Sequence, residues 1–310
     1  MVTAEIAGVS VSLDKGVFDE ASRDNLIIDD QRNLRNKDDY LANLVATGEK
    51  TVVYVNSREQ SIAVARSLRR RVPQLAPLIG FYNAGLSPME RKRVEELFRT
   101  NAVTVLVATS AFGEGVNIPN IRHVVLYHLP FNEIEFNQMA GRAGRDGTPA
   151  VIHLLYGRQD AQLNERILAQ NAPDHDTLAV VYRRLRQMQR EAQGASLRLT
   201  DADLAQLGAV GSDPTGTATA VCGIAVFREL GLIDAQTAFN SGRMECTLRV
   251  NENAQKVELT DSVRYREGLG ERDVFQSFRD WALRTDGPSL RIRVIRPITP
   301  EHPNEGGPSK

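Results

Sequence analysis

Two arginines three residues apart, Arg142 and Arg145, stand in the run QMAGRAGRDG from Gln138 to Gly147. Placed on a helix after the apolar run HVVLYHL, residues at this spacing project from nearly one face. Rigid guanidinium forks suit the charge that spreads over a γ-phosphate during its transfer, so Arg142 and Arg145 are candidate arginine fingers, with Gln138 beside them. The small residues Gly141, Ala143 and Gly144 are expected to let that helix approach a facing lobe closely. A plain surface helix closed by a glycine explains the end of the segment, but neither Gln138 nor the doubled Gly-Arg.

Two further groups carry hydroxyls and amides suited to phosphate. Thr109 and Ser110 end the run TVLVAT, followed by the main-chain amides of Ala111, Gly113 and Gly115, and Asn56, Ser57 and Arg58 end the run TVVYV. In parallel α/β proteins ligands bind at the carboxyl ends of the strands, which puts these residues on one surface. Each serine taken singly fits helix capping equally well.

These residues need elements to hold them. From Thr51 to Tyr156 short Val, Ile and Leu runs alternate with amphipathic stretches, a pattern that predicts buried parallel strands joined by crossover helices, an α/β doubly wound layer. Ser87, Pro88 and Glu90 supply an N-cap, a proline at the first turn and a capping-box acid. Before Thr51 the chain reads as a connector with one helix, KDDYLANLV, and one strand at NLIID. The composition changes after Tyr156. A helix through DTLAVVYRRLRQMQREA with Asp176 as N-cap, two short helices at TDADLAQLG and TATAVCGIAVFRELG, and a hairpin turning at Asn240, Ser241 and Gly242 follow in the order of a winged helix. The second short helix is expected to pack through Val221, Ile224, Ala225 and Leu230. The expected division is a connector over 1–40, a lobe over 41–165, a winged-helix-like module over 171–255, a helical extension over 256–300 and a disordered tail over 301–310.

With 42 % hydrophobic and 25 % charged residues, neither disorder nor a fibrous class is indicated. No apolar run reaches the roughly 18 residues of a membrane span and the start lacks a signal-peptide pattern, so a cytoplasmic location and no membrane partner are expected. Cys222 and Cys246 cannot form a four-cysteine zinc site, and no metal ligands stand out. The formal net charge of −1 leaves nucleic-acid binding to local clusters, of which Arg66 to Arg71, Arg183, Arg184, Arg186 and Arg190, and Arg291 to Arg296 are the clearest.

Four ordered blocks then carry a resemblance. GRAGRDG preceded by Gln138 resembles motif VI of superfamily 2 helicases, with the Arg-Asp-Gly ending of the RecQ family. The stretch from Val105 to Pro130 resembles RecQ motif V, TVVYVNSREQ resembles motif IV, and FYNAGLSPMERKRVEELF resembles the family's DNA-contacting segment. RDNLIID is similar to the strand by which RecQ enters its second lobe, so the likeness runs from about Arg23 to Tyr156. It implies a RecA-like lobe, P-loop NTPase-like but lacking the P-loop. It also implies ATP and Mg²⁺ in the complete two-lobe enzyme, with Gly113, Gly115, Asn117, Gly141 and Asp146 near the nucleotide. DNA is the implied partner, met by Asn56, Ser57, Arg58, Asn83, Thr109 and Ser110, with Arg183, Arg184 and Arg186 adding phosphate contacts from the second module.

The departures are specific. Asn83 stands where the family usually has His, Glu114 where it usually has Met, and Ile118 replaces a usually polar residue. An acidic Glu114 near a phosphate path repels DNA unless paired. The family's zinc platform cannot be present. No GxxxxGK[ST] loop occurs: Gly48 to Thr51 only echo its end, and Asp19, Glu20 and Ala21 only echo an acidic box. A first lobe is therefore expected upstream in a longer parent, and this chain alone is not expected to turn over ATP. A second hypothesis makes the chain a non-catalytic DNA-binding part. VRYREGLGERDVFQSFRDWAL, with IRPITP after it, is weakly similar to the C-terminal region of helicase-fused RecJ-type single-strand exonucleases. An RNA helicase is disfavoured by the Arg-Asp-Gly ending.

Overall fold

Short Val-rich runs become strands because helices cover both of their faces. A computed structural model of the chain describes residues 2–6, 9–13, 23–113, 117–210, 216–240 and 243–295. Glu114, Gly115, the Asp19 to Ala21 echo, the turn residues Ser241 and Gly242, Arg296 and the tail over 301–310 lie outside the described residues. The chain divides into two units, one up to Gly157 and again from Ala282, the other Arg158–Trp281. No described helix is long and apolar enough to cross a membrane.

In the first unit, β1 (Val2–Ile6) and β2 (Val9–Leu13) form an antiparallel pair. The main sheet is built from β3 (Leu26–Asp30), β4 (Thr51–Tyr54), β5 (Ile79–Tyr82), β6 (Val105–Ala108), β7 (His123–Leu126) and β8 (Ala150–Leu154). Its order is β3-β8-β7-β4-β6-β5 and every pairing is parallel. The crossovers are α1 (Lys37–Val45), α2 (Arg58–Arg71), α3 (Pro88–Arg99) and α4 (Glu133–Ala140). All residues of β4, β6 and β7 are buried, as in a sheet covered on both faces. This is the doubly wound parallel layer expected from the strand runs, and the RecA-like lobe that the resemblance implies.

Local chemistry sets the helix starts. Ser87 and Glu90 close a reciprocal capping box over Pro88 at the head of α3, as the sequence predicts, and Ser57 caps α2 by accepting from the Gln60 amide at 3.1 Å. The strands run parallel and in register, so Tyr54, Tyr82 and Ala108 end together, and the segments after them share one sheet edge. Lys50 precedes β4 at the opposite edge. It is 6 % exposed, and its Nζ donates to Asn101 Oδ1 at 2.9 Å and Asn120 Oδ1 at 3.1 Å. That occupation agrees with rejecting it as a P-loop lysine.

The second unit contains α5 (Arg158–Asn171), α6 (His175–Glu191), β9 (Leu197–Leu199), α7 (Asp201–Gly208), α8 (Thr217–Glu229), β10 (Ile233–Asn240), β11 (Arg243–Val250) and most of α9 (Val263–Arg284). A last helix, α10 (Gly287–Ile295), belongs to the first unit, where Arg291 Nε donates to the Leu26 carbonyl at 2.9 Å on the edge strand. The three-stranded sheet has the order β10-β11-β9, antiparallel throughout. Leu178, Val181 and Leu185 of α6 pack with Leu204, Phe227 and Leu248 in one core.

Three local expectations are corrected. The N-cap of α6 is Asp174, which accepts from the Thr177 amide at 2.9 Å, and not Asp176. Val221 is 39 % exposed, and the buried face of α8 runs instead through Ala220, Gly223, Ile224, Val226 and Phe227. The strand β9 is absent from the sequence expectations. Its three residues bury only Leu197 and Leu199, too short a pattern to separate from a loop.

Candidate nucleotide and nucleic-acid site

The arginine run is not helical, contrary to the expectation. Asn132 caps α4 by accepting from the Glu135 amide at 2.8 Å, but the helix ends at Ala140, and residues 141–147 continue as turns. Glycine disfavours helix interiors, and two long-range partners claim the carbonyls at this end. Arg23 donates to the carbonyls of Gly141, at 3.0 Å, and Ala143, placing a cation at the negative end of the helix. Asn25 Nδ2 donates to the carbonyls of Gly144 at 2.8 Å and Thr148 at 2.9 Å.

The small residues are also tightly packed within the lobe. Gly144 has φ +52°, and a Cβ there would lie 2.5 Å from Asn25 Nδ2 and 2.7 Å from the Thr148 carbonyl. Ala143 is buried. Packing within the lobe thus limits their size.

Arg142 and Arg145 emerge from this locked turn. Arg142 donates through Nη2 to the Gly113 carbonyl, and Arg145 Nε donates to the Gly141 carbonyl at 3.1 Å. Desolvation first, then the like charges of Arg142 and Arg23, lower the Arg145 guanidinium from its ordinary value. Beside them Tyr54 is fully buried, its OH donating to the Phe112 carbonyl at 3.1 Å, and burial pushes its phenol well above the usual range. The result is a crowd of three guanidinium groups whose mutual repulsion a polyanion would relieve.

A cleft of about 600 Å³ opens here. Ser110, Gly113, Gln138 and Arg142 line it, with Tyr54 and Arg91, whose buried Nε has no hydrogen-bond partner. Gly141, Arg145, Asp146 and Asn117 do not line it. The Arg122 guanidinium, gripping both Asp146 oxygens at 2.6 Å, holds that carboxyl below the usual range and fixes the turn. Asn117 is exposed.

On the sheet edge, Asn56 Nδ2 donates to the Leu129 carbonyl at 2.8 Å, Ser57 Oγ is taken by its cap, and Arg58 is exposed. The Thr109 amide donates to the Tyr82 carbonyl at 3.1 Å, which places the Thr109–Ser110 turn against the strand end. Asn83 is 3 % exposed, donates to Ser61 Oγ at 2.9 Å and accepts from the Gly85 amide at 2.9 Å, contacts that build the turn. In the second unit Arg183 and Arg186 are exposed, whereas Arg184 Nη1 donates to the carbonyls of Leu207 and Ala209, both at 2.9 Å, and caps α7. Arg184 thus closes the end of α7 through Nη1. The sequence pattern does not single out Arg23, Asn25, Tyr54, Arg91 or Arg122. Arg23 and Asn25 stand in the RDNLIID block, but nothing in their spacing ties them to residues nearly 120 positions away.

Residues 36–147 match the helicase conserved C-terminal domain. The parallel sheet and the arginine turn lie within or beside this matched segment, which carries the helicase conserved C-terminal domain. Its relatives narrow the class. The chain is 35 % identical over 132 residues to the probable ATP-dependent DNA helicase RecS of Bacillus subtilis, covering 43 % of this chain and 26 % of that protein. It is 38 % identical over 125 residues to the ATP-dependent DNA helicase RecQ of Haemophilus influenzae, covering 40 % and 20 %. With the RecQ of Bacillus subtilis it shares 32 % identity over 174 residues, covering 56 % and 28 %. The matched segment is similar to the corresponding part of RecQ and RecS DNA helicases. The chain spans between a fifth and somewhat over a quarter of the length of these relatives.

Proposed function

We propose that this chain is the second motor lobe of an ATP-dependent, RecQ-like DNA helicase acting in DNA repair or recombination, followed by a winged-helix module. The observation that carries the reading is the cluster of Arg23, Arg142 and Arg145 beside the cleft that holds Ser110, Gly113 and Gln138. In it, Arg145 and Arg142 meet the γ-phosphate of ATP presented by a first motor lobe, and Gly113 and Gly141 lie close behind them. When bound, Mg²⁺ neutralises phosphate charge, and its acidic ligand belongs to the first lobe. Arg23 positions the arginine turn and adds to its field.

DNA runs along the sheet edge past Arg58, Thr109 and Ser110. The winged-helix reading rests on the element order α6, β9, α7, α8, β10, β11 with β9 at one sheet edge. Its cations favour α6: Arg183 and Arg186 are exposed there, whereas α8 carries only Arg228, which gives major-groove insertion little to work with.

The test mixes the purified chain with a first motor lobe of a RecQ helicase and measures ATP hydrolysis with and without single-stranded DNA. The chain alone is expected to show background turnover and the pair DNA-stimulated turnover. Stimulated turnover by the chain alone would overturn the reading.

A further inference from the structure

A second cavity, about 410 Å³, lies within the second unit and is claimed by none of the motifs. One wall is a single stripe of α6, His175, Leu178, Ala179, Tyr182 and Arg186, at the spacing that puts residues on one helix face. The floor is Phe227 and Leu232, and the opposite wall is the segment from Asn251 to Leu259. Tyr182 and Phe227 present two tilted aromatic faces, their ring centroids 5.1 Å apart. Arg186 and Lys256 are exposed at the rim, and Glu252, the one carboxylate among the described lining residues, is approached by Gln189 Nε2 at 3.5 Å.

An apolar, aromatic floor with the Gln255 amide and cations at its mouth is complementary to a flat heterocycle that carries a phosphate. The volume falls in the lower part of the range for small-molecule sites, about 300–1,000 Å³, which suits one nucleotide and excludes a folded element of a partner. We propose that this pocket takes one unpaired nucleotide, its base against Tyr182 and the 254–257 segment, its phosphate at Arg186 and Lys256. Gln255 offers its amide to the base edge, whereas the Asn251 amide is held by the Gly231 carbonyl at 3.2 Å and the Asn253 N–H at 3.1 Å. The nucleotide source, a single-stranded DNA segment or a free mononucleotide, shares this chemistry. The strand version rests on the proposed DNA contacts of α6.

The experiment titrates the full chain with a short oligothymidylate, with the same oligomer carrying abasic residues, and with thymidine monophosphate. Base stacking on aromatic side chains is worth about 1–3 kcal/mol, so the intact oligomer should bind roughly tenfold more tightly than the abasic one. Ala254→Trp, which fills the pocket from an exterior segment, should reduce the intact oligomer to the abasic level, as should Tyr182→Leu, with Tyr182→Phe restoring the difference. Arg183→Glu should weaken both oligomers alike and leave their ratio intact, which separates failure of the α6 phosphate reading from failure of the pocket. Saturable monophosphate binding that Ala254→Trp removes, without any oligomer preference, would assign the pocket to a free nucleotide. Equal affinity for intact and abasic oligomers together with no monophosphate binding, or a base preference that survives Ala254→Trp, would overturn the proposal.

Discussion

Arg142 donates to the main-chain carbonyl of Gly113, joining the turn that follows α4 to the turn that carries Thr109 and Ser110. Through Gly113 one guanidinium thus braces the loop that continues from the proposed DNA contacts Thr109 and Ser110. Arg142→Ala should therefore disturb two readouts, hydrolysis with the first lobe and DNA affinity of the chain itself. Coupling through such a contact is worth about 0.5–2 kcal/mol, so DNA affinity should fall by about 2- to 30-fold. Fluorescence anisotropy with labelled single-stranded DNA measures it, and an unchanged affinity would disconnect the two turns.

The glycines of the arginine turn separate packing from conformation. Gly144→Ala forces a Cβ onto the Thr148 carbonyl and Asn25 at a positive φ, whereas a Cβ at Gly147, φ +79°, meets nothing within 4 Å. Overpacking typically costs about 1–3 kcal/mol beyond the left-handed strain of about 1–2 kcal/mol that both share. Urea unfolding should show Gly144→Ala to be the more damaging by roughly that margin. Equal losses would remove the packing argument.

A chain of side chains crosses the sheet away from the cleft. His123 Nε2 lies 2.6 Å from Glu49, His123 Nδ1 2.9 Å from His153 Nε2, and His153 Nδ1 3.1 Å from Asp29. Burial, then the neighbouring His123, lowers His153 from 6.5 to about 4. Above pH 6.5 the imidazole is neutral in both folded and unfolded chains. Between about 6.5 and 4 the unfolded chain takes a proton that the folded one refuses, so stability falls as the pH drops through that window. Melting curves across it should show the fall, and His153→Gln should flatten it. A slope that survives the substitution would place its origin elsewhere.

Why the lobe is legible in the sequence and the turn is not follows from the range of the forces involved. The Val-rich runs of β4, β6 and β7 and the Ser87 cap are local signals, and each produces the expected element. The helix expected under Arg142 and Arg145 fails because Arg23 and Asn25, from the first strand block, claim its last carbonyls. Asn83 and Arg184 stand out by residue type, but their tertiary partners, Ser61 and the Leu207 carbonyl, are not legible in the sequence. Three-residue β9 offers too little pattern to read.

Charge reversal on α6 probes the second unit. Arg183→Glu with Arg186→Glu should weaken DNA binding and make its salt dependence shallower, because the slope of log affinity against log salt carries about 0.7–0.9 for every phosphate the protein neutralises. Arg228→Glu should matter less. Arg184→Glu should lower the melting temperature instead, since it strips the α7 carbonyls of their donor. Greater sensitivity at Arg228 would move the DNA path onto α8.

The central claim is that Arg145 acts on ATP from this lobe, and the most direct measurement is the hydrolysis rate of the chain paired with its first motor lobe, wild type against Arg145→Ala, at saturating single-stranded DNA. Removing an arginine finger in related chemistry costs about 10³–10⁵ in rate. A loss on that scale with DNA affinity of the chain unchanged is the expected result. Hydrolysis within a factor of a few of wild type would contradict the account.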